Sequence, residues 1–459
     1  DKFSIYKNKN IKYFNKSKIN IFFKYLVILP ILIFILFFTI KKYKFVFFQK
    51  IKKKYHKFIF QVNNYGTYYS QGSSEKQIVN HDEETLFITP YWNVDTKHLN
   101  IFKERLSKNK INYINFKKLQ YNLVSVLNLI KLIYKVIVGI KPIKCSYIEL
   151  KILYLIFYYF IDEFINFENI NCKIFISNDD ISLRHFVRTS LLREKNIRSF
   201  GIQHSAGNGL IGAPHIAFIN FDLYLIWNDF IYNQFKEYWV NQKTLKTGYS
   251  RINKFLANYN LNKKNNIIKK INDKYSISNK NKKNILITLP SFDSSLKKFN
   301  DDYENSNEIF NFFNYYLPKL LESINLIIRP KRKITLEFKE YIYSINSNII
   351  LCDDFKISTQ ELIVWSDLIV SSNVSGVITE ASLTKSKVIT FDYFGYLNDC
   401  NRDYGKDFMS KNSKNLHDVL STFIKLGQIN VNWNRFFLDF GFKDEKNINE
   451  LLNDELMNF

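Results

Sequence analysis

DLIVSSNVSGVITEASLTKSKVITFD, residues 367–392, contains a complete strand–helix–strand pattern. The apolar run DLIVS is followed by small polar residues, by a helical pattern and by a second apolar run, KVITF. This order is the repeating unit of a parallel α/β sheet. Ligands of such sheets bind beyond the carboxyl ends of the strands, so the residues directly after DLIVS are the first candidates for a site.

A helix N-terminus offers unpaired N–H groups to an anion, and this one follows a cluster of small polar residues. We expect the cluster to surround a diphosphate; its members are Ser371, Ser372, Asn373, Ser375 and Gly376. Gly376 permits a close backbone approach, and Glu380 in the helix could accept hydrogen bonds from ribose hydroxyls. The same spacing also fits an ordinary helix N-terminus with a solvated glutamate.

Two further strand ends carry residues that could do chemistry. In IIRPKRK (327–333), the cations Arg329, Lys331 and Arg332 could neutralise a diphosphate leaving group, or could form a solvated basic turn. In SFGIQHSAGNG (199–209), His204 could act as a general base on an acceptor hydroxyl, or could be structural. Asp179 and Asp180, just after the strand KIFIS, are alternative bases.

Strand patterns recur on both sides of residues 261–284, a Lys- and Asn-rich stretch that reads as a helix fragment in an interdomain linker. The predicted strands are Thr85–Thr89, Lys173–Ser177, Ser199–Gln203, Leu223–Trp227, Asn284–Leu289, Asn325–Ile328, Asn348–Leu351, Asp367–Ser371 and Lys387–Phe391. Helical patterns cover 96–108, 118–138, 147–166 and 180–195. The sequence therefore predicts two α/β domains, 83–255 and 283–430, followed by a C-terminal helical tail, 431–459.

The basic charge is concentrated near the N-terminus. Residues 1–60 hold 15 Lys, no Arg and one Asp, a charge of +14 out of +24 for the whole chain. Within them, 21–40 is apolar and about 20 residues long, which predicts a transmembrane helix in a basic membrane-anchoring segment; a buried core helix is the alternative. Lysines flank both sides of the apolar stretch, so the positive-inside rule does not decide its orientation.

Several chemistries lack their residues. The sequence has no GxxxxGK[ST] loop, no HExxH and no GxSxG. It also has no Asp-x-Asp triplet and no CxxC pair among its four cysteines. We therefore expect a site that uses neither a metal nor a cofactor.

Four local patterns resemble the two-Rossmann (GT-B) glycosyltransferases of bacterial surface polysaccharide synthesis, and more distantly the CDP-glycerol glycerophosphotransferases. They are GIQHSAG (201–207), LKTGYSRINKF (245–255), IIRPKR (327–332) and STQELIVWSDLIVSSNVSGVITEASLTKSKVITFD (358–392). The loop after His204 has Ser where the family has Gly, and Lys385-Ser386-Lys387 stands where it has Gly-Lys-Pro.

The resemblance implies two Rossmann-like domains facing a cleft, the first receiving the acceptor and the second holding the donor. It implies transfer of a sugar from a nucleotide donor to a lipid-linked or growing glycan at the inner membrane, with the catalytic domains cytoplasmic. Glu380 and the residues of SSNVSG would hold the donor. Alternatives are a glycerophosphotransferase, a non-catalytic membrane-tethered binding protein and a basic RNA-binding protein; the last predicts binding that weakens steeply with salt.

Overall fold

The computed structural model describes the chain most fully between residues 171 and 441. The described ranges there are 171–177, 183–203, 219–239, 241–249, 253–256, 259–279, 281–289, 307–330, 334–353, 357–372, 376–392 and 404–441. Before residue 171, the structure describes five strands and scattered helical residues, the longest helical run being 158–164.

Strands alternate with helices along most of the chain that the structure describes. The strands are β1 (Lys44–Phe45), β2 (Tyr55–Gln61), β3 (Thr85–Thr89), β4 (Asn112–Asn115), β5 (Gln120–Tyr121), β6 (Asn171–Ser177), β7 (Arg198–Ile202), β8 (Leu223–Ile226), β9 (Thr244–Lys246), β10 (Lys283–Leu289), β11 (Ile324–Pro330), β12 (Ile350–Leu351), β13 (Leu368–Ser372), β14 (Val388–Phe391) and β15 (Met409–Ser410). The α-helices are α1 (Leu183–Glu194), α2 (Asp229–Phe235), α3 (Asn253–Leu256), α4 (Leu261–Lys274), α5 (Asn307–Asn311), α6 (Leu336–Ile345), α7 (Thr359–Trp365), α8 (Gly376–Leu383), α9 (Ser413–Leu426) and α10 (Trp433–Phe440). A π-helical turn (Phe312–Tyr316) and a 3-10 turn (Leu317–Lys319) extend α5.

Two parallel sheets form the framework. One has seven strands in the order β4-β3-β2-β6-β7-β8-β9, and the other has six in the order β12-β11-β10-β13-β14-β15. All their pairings are parallel, so the carboxyl ends of the strands in each sheet share one edge. The predicted α/β class is confirmed. We call the first sheet with α1 and α2 the first lobe, and the second sheet with α4 to α10 the second lobe.

The second sheet is covered on both faces. Ile285, Ile287 and Leu289 of β10 pack with α5, α6 and α9, while Leu286 packs with α4, α7, α8 and α10. This alternation follows from the two-residue period of a strand. Burial on both faces explains why the strand sequences are almost continuously apolar.

The first sheet reaches further towards the N-terminus than the sequence predicted. β2 begins inside the predicted anchoring segment 1–60, ends one residue beyond it, and pairs with both β3 and β6 in the interior of the sheet. Its sequence, YHKFIFQ, follows a run of lysines, and the charge of that run favours the predicted anchoring segment over a strand. β5 also falls within the predicted helix 118–138.

The predicted interdomain linker is largely part of the second lobe. Asn260 caps α4 by accepting a hydrogen bond from the Lys263 backbone N–H, and Ile267 and Ile271 are buried in the core. Lys270 forms an ion pair with Glu361 of α7 at 2.6 Å. A helix whose apolar side is buried in this way is an integral element of the lobe.

Among the residues that the structure describes, no helix is both long enough and apolar enough to cross a bilayer. The predicted transmembrane segment 21–40 lies outside those residues except for Ile33 and Phe37. Of the predicted tail 431–459, residues 442–459 also lie outside them.

Candidate functional site

The candidate anion site lies where the strand order of the second sheet reverses. β10 and β13 are neighbours, with β11 on the far side of β10 and β14 on the far side of β13. Crevices of α/β sheets open at such switch points, at the carboxyl ends of the strands. β13 ends at Ser372 and α8 begins at Gly376, so the predicted phosphate loop lies at this point.

Glu380 is buried in α8, with 6% of its surface exposed. Its Oε1 accepts a hydrogen bond from the hydroxyl of Tyr249, at 3.1 Å. Tyr249 follows β9 in the first lobe and is itself buried. Because Glu380 is buried, the alternative of a solvated glutamate is wrong. A carboxylate withdrawn from water needs polar partners, and the Tyr249 hydroxyl is one of them.

The carboxyl edge of the first sheet faces this helix. Trp227 and Asn228 directly follow β8, and both are buried. Asn228 Nδ2 donates to the backbone oxygen of Phe440, the last residue of α10, at 3.4 Å, and the Phe440 ring stacks on Phe230 with centroids 4.5 Å apart. α8 and α10 thus bring the second lobe against the strand ends of the first.

Ser371 and Ser372 lie within β13 rather than beyond it. Ser371 is fully buried and is paired through the backbone with Thr288 and Thr390. Ser372 is the last strand residue and pairs with Phe391. Asn373 and Ser375 lie outside the described residues, so their donor-binding roles stay predictions.

Arg329 is not part of a solvated basic turn. It is 7% exposed, and its Nη1 donates to the backbone oxygen of Cys352 at 2.9 Å and contacts the Cys352 sulfur at 3.2 Å. Since Cys352 directly follows β12, the guanidinium joins the ends of two neighbouring strands. Lys331 and Arg332 lie outside the described residues, and contact of all three cations with a diphosphate stays a prediction.

The predicted bases His204 and Asp179, and Asp180 with them, also lie outside the described residues. The strands that precede them are described: β7 ends at Ile202 and β6 ends at Ser177, both in the first sheet. Gln203, the residue before His204, accepts a hydrogen bond at Oε1 from the backbone N–H of Trp227, at 2.7 Å. This bond ties the end of β7 to the end of β8.

A buried ionic cluster supports the end of β6. Arg188 donates to both carboxylate oxygens of Glu163, at 3.1 and 3.3 Å, and to the hydroxyl of Ser177 at 3.2 Å. Arg184 pairs with Glu163 at 3.1 Å and also with Asp162. Two arginines and two carboxylates balance each other, which is the condition under which charges are tolerated in a core. The helical run 158–164, which lies within the predicted helix 147–166, supplies the two acids.

The described residues contain no group of three or more His, Cys, Asp or Glu side chains placed to hold a metal ion. Cys172 and Cys352 are buried free thiols, and burial raises the pKa of Cys172 to about 12.

Sequence reasoning missed Tyr249 and Trp227. β9 is only three residues long, too short to show a strand pattern before Tyr249. For Tyr249, the available signal was an aromatic residue directly after a glycine, Gly248, close to a strand end. The hydrogen-bond partner of Tyr249, Glu380, is 131 residues away in the sequence, and no local pattern predicts a contact over that separation.

No family model matches the chain, and no curated protein matches its sequence. Its structure is similar to that of UDP-GlcNAc 2-epimerase from Neisseria meningitidis bound to UDP-GlcNAc, with a TM-score of 0.50 and 12% identity over 88% of this chain and 100% of the epimerase. It also aligns with the wall teichoic acid polymerase TagF, with a TM-score of 0.44 and 13% identity over 88% of this chain and 89% of that one. The chain therefore has a GT-B-type fold, as its sequence motifs predicted.

Proposed function

We propose that the chain is a glycosyltransferase that moves a sugar from a nucleotide-sugar donor to a lipid-linked or growing surface glycan at the cytoplasmic face of the membrane. One observation carries the proposal: Glu380 is buried beside the switch point of the second sheet and contacts the first lobe through Tyr249. A carboxylate and a helix N-terminus at that point suit the ribose and diphosphate of a nucleotide.

In the proposed reaction, an acceptor hydroxyl oxygen forms a bond to the anomeric carbon of the donor sugar. The bond between that carbon and the diphosphate oxygen breaks, and the electron pair leaves with the nucleotide. His204, or alternatively Asp179, takes the proton of the acceptor hydroxyl. Arg329, Lys331 and Arg332 would balance the charge that develops on the leaving group.

The first test supplies the purified protein with UDP-, CMP- and CDP-linked donors, with and without membrane extract as a source of acceptor. A glycosyltransferase is expected to release the nucleotide from one sugar donor, and to do so faster with acceptor. Consumption of CDP-glycerol would identify a glycerophosphotransferase instead. Conversion of UDP-GlcNAc to its C2 epimer without acceptor would identify an epimerase, and consumption of no donor would refute the proposal.

Single substitutions then separate binding from chemistry. Glu380→Ala and Ser375→Ala are expected to raise the donor KM, whereas His204→Ala should mainly lower kcat. Two controls lie in helices that cover the opposite face of the second sheet from α8. They are Glu340→Ala, at an exposed position in α6, and His417→Ala in α9. Unchanged turnover in His204→Ala would reject that base and direct the search to Asp179.

A further inference from the structure

Tyr249 belongs to the first lobe but lies against the helix proposed to hold the donor. Its hydroxyl is 3.1 Å from Glu380 Oε1, and an added Cβ at Gly376 would lie 2.9 Å from the same hydroxyl oxygen. The tyrosine therefore contacts both the first residue of α8 and the carboxylate one turn further along. Both contacts cross from one lobe to the other.

The first lobe holds Tyr249 in a fixed position. Gly248 has a φ of +69°, in the left-handed region that favours glycine, so the chain turns sharply before the tyrosine. The Trp227 ring packs edge-on against the Tyr249 ring, with centroids 4.4 Å apart, and Leu383 packs against the pair. Trp227 is held in turn by the bond from its backbone N–H to Gln203.

A buried hydrogen bond to a carboxyl oxygen is directional, and it restricts where the carboxyl group can turn. We propose that Tyr249 is a positioning residue for the donor: its hydroxyl orients the Glu380 carboxylate towards the nucleoside of a bound nucleotide. This inference rests on the proposed function. It also means that the donor site is completed by the first lobe, so that the second lobe alone binds nucleotide less tightly.

The test is a double-mutant cycle between Tyr249→Phe and Glu380→Ala, read out as the dissociation constants of UDP and CDP by calorimetry. Phenylalanine keeps the ring on Trp227 and removes only the hydroxyl. Tyr404→Phe is the matched control, because the Tyr404 hydroxyl also donates to a carboxylate, that of Asp439 at 2.8 Å, but within the second lobe. If Glu380→Ala does not fold, Glu380→Met replaces it in the cycle, since its side chain has a similar length.

If Tyr249 acts through Glu380, Tyr249→Phe should weaken binding of the nucleotide that the wild type prefers by about tenfold, and by less than about twofold when Glu380 is already absent. Tyr404→Phe should change it by less than about twofold. If Tyr249→Phe weakens binding equally in both backgrounds, its effect is one of packing and the inference is overturned. The inference is also overturned if Glu380→Ala weakens binding and Tyr249→Phe does not. In either case the proposed function stands. A wild type that binds neither nucleotide and consumes no donor would refute both.

Discussion

Gly376 lacks a side chain at the place where the hydroxyl of Tyr249 approaches α8. The added methyl carbon of Gly376→Ala would lie 2.9 Å from that oxygen, closer than van der Waals contact allows. We expect this substitution to lower the free energy of unfolding by about 1–2 kcal/mol, because the buried tyrosine has little room to move. Urea titration of the purified variant measures the change.

The same substitution in a Tyr249→Phe background provides the control. Without the hydroxyl, the nearest atom to the new methyl group is the ring carbon Cζ, 3.5 Å away, which is an ordinary contact. Gly376→Ala should then be nearly neutral. An equal loss of stability in both backgrounds would mean that a contact other than the one with Tyr249 requires the glycine.

Cys172 provides a second prediction at this scale. Burial raises the pKa of its thiol to about 12, so at pH 8.5 almost none of it is the reactive thiolate. Because the folded pKa lies above the unfolded value, the thiol contributes stability that is fully present below the unfolded pKa and is lost as the pH rises above it. We expect iodoacetamide to label Cys172 at pH 8.5 only in urea, as measured by mass spectrometry of its peptide. Labelling at the same rate without urea would contradict this burial.

At the scale of single elements, a capping box begins α7. The Ser358 hydroxyl accepts from the Glu361 backbone N–H, and the Glu361 carboxylate accepts from the Ser358 backbone N–H. Glu361 also pairs with Lys270 of α4. Burial alone would raise the pKa of Glu361, but the hydrogen bonds from Lys270 and Ser358 outweigh it and lower the pKa.

Glu361→Gln should therefore cost about 1 kcal/mol of stability at pH 7. A lowered carboxyl pKa contributes stability that is present above the ordinary value of 4.5 and is lost as the pH falls through the folded pKa. The difference between wild type and variant should disappear in that acid range, as measured by urea unfolding at several pH values. Glu337→Gln, an exposed first-turn position in α6, should cost less than about 0.5 kcal/mol throughout. A pH-independent difference would contradict the role of the charge.

The elements that the sequence predicted well are those whose signal is local. β13 and α8 were placed to within a few residues, since an apolar run, small polar residues and a helical pattern follow one another directly. β2 was missed because its apolar residues follow a lysine run, and β9 because three residues carry too little pattern. The position of the site at the carboxyl end of a strand was predictable from the sequence. The Tyr249 to Glu380 contact, which depends on how two lobes meet, was not.

At the scale of the whole molecule, α10 connects the two lobes. It packs against α8 and α2, and Phe440 is fully buried between the Phe230 ring of the first lobe and Tyr404 of the second. Asn432 caps the N-terminus of the helix, because its side chain accepts a hydrogen bond from the Arg435 backbone N–H. The buried residues of the helix are Phe436 and Phe440. Aromatic rings that bury surface from both lobes resist their separation.

Phe440→Ala should therefore destabilise the protein by about 3–5 kcal/mol, because it opens a cavity where the lobes meet. Leu438→Ala on the same helix is the matched control: Leu438 is 79% exposed, and its truncation should cost less than about 0.5 kcal/mol. Urea unfolding followed by tryptophan fluorescence measures the stability of both variants. The donor KM of Phe440→Ala should also rise, because α8 loses contact with the first lobe. Similar stabilities of the two variants would show that α10 does not hold the lobes together.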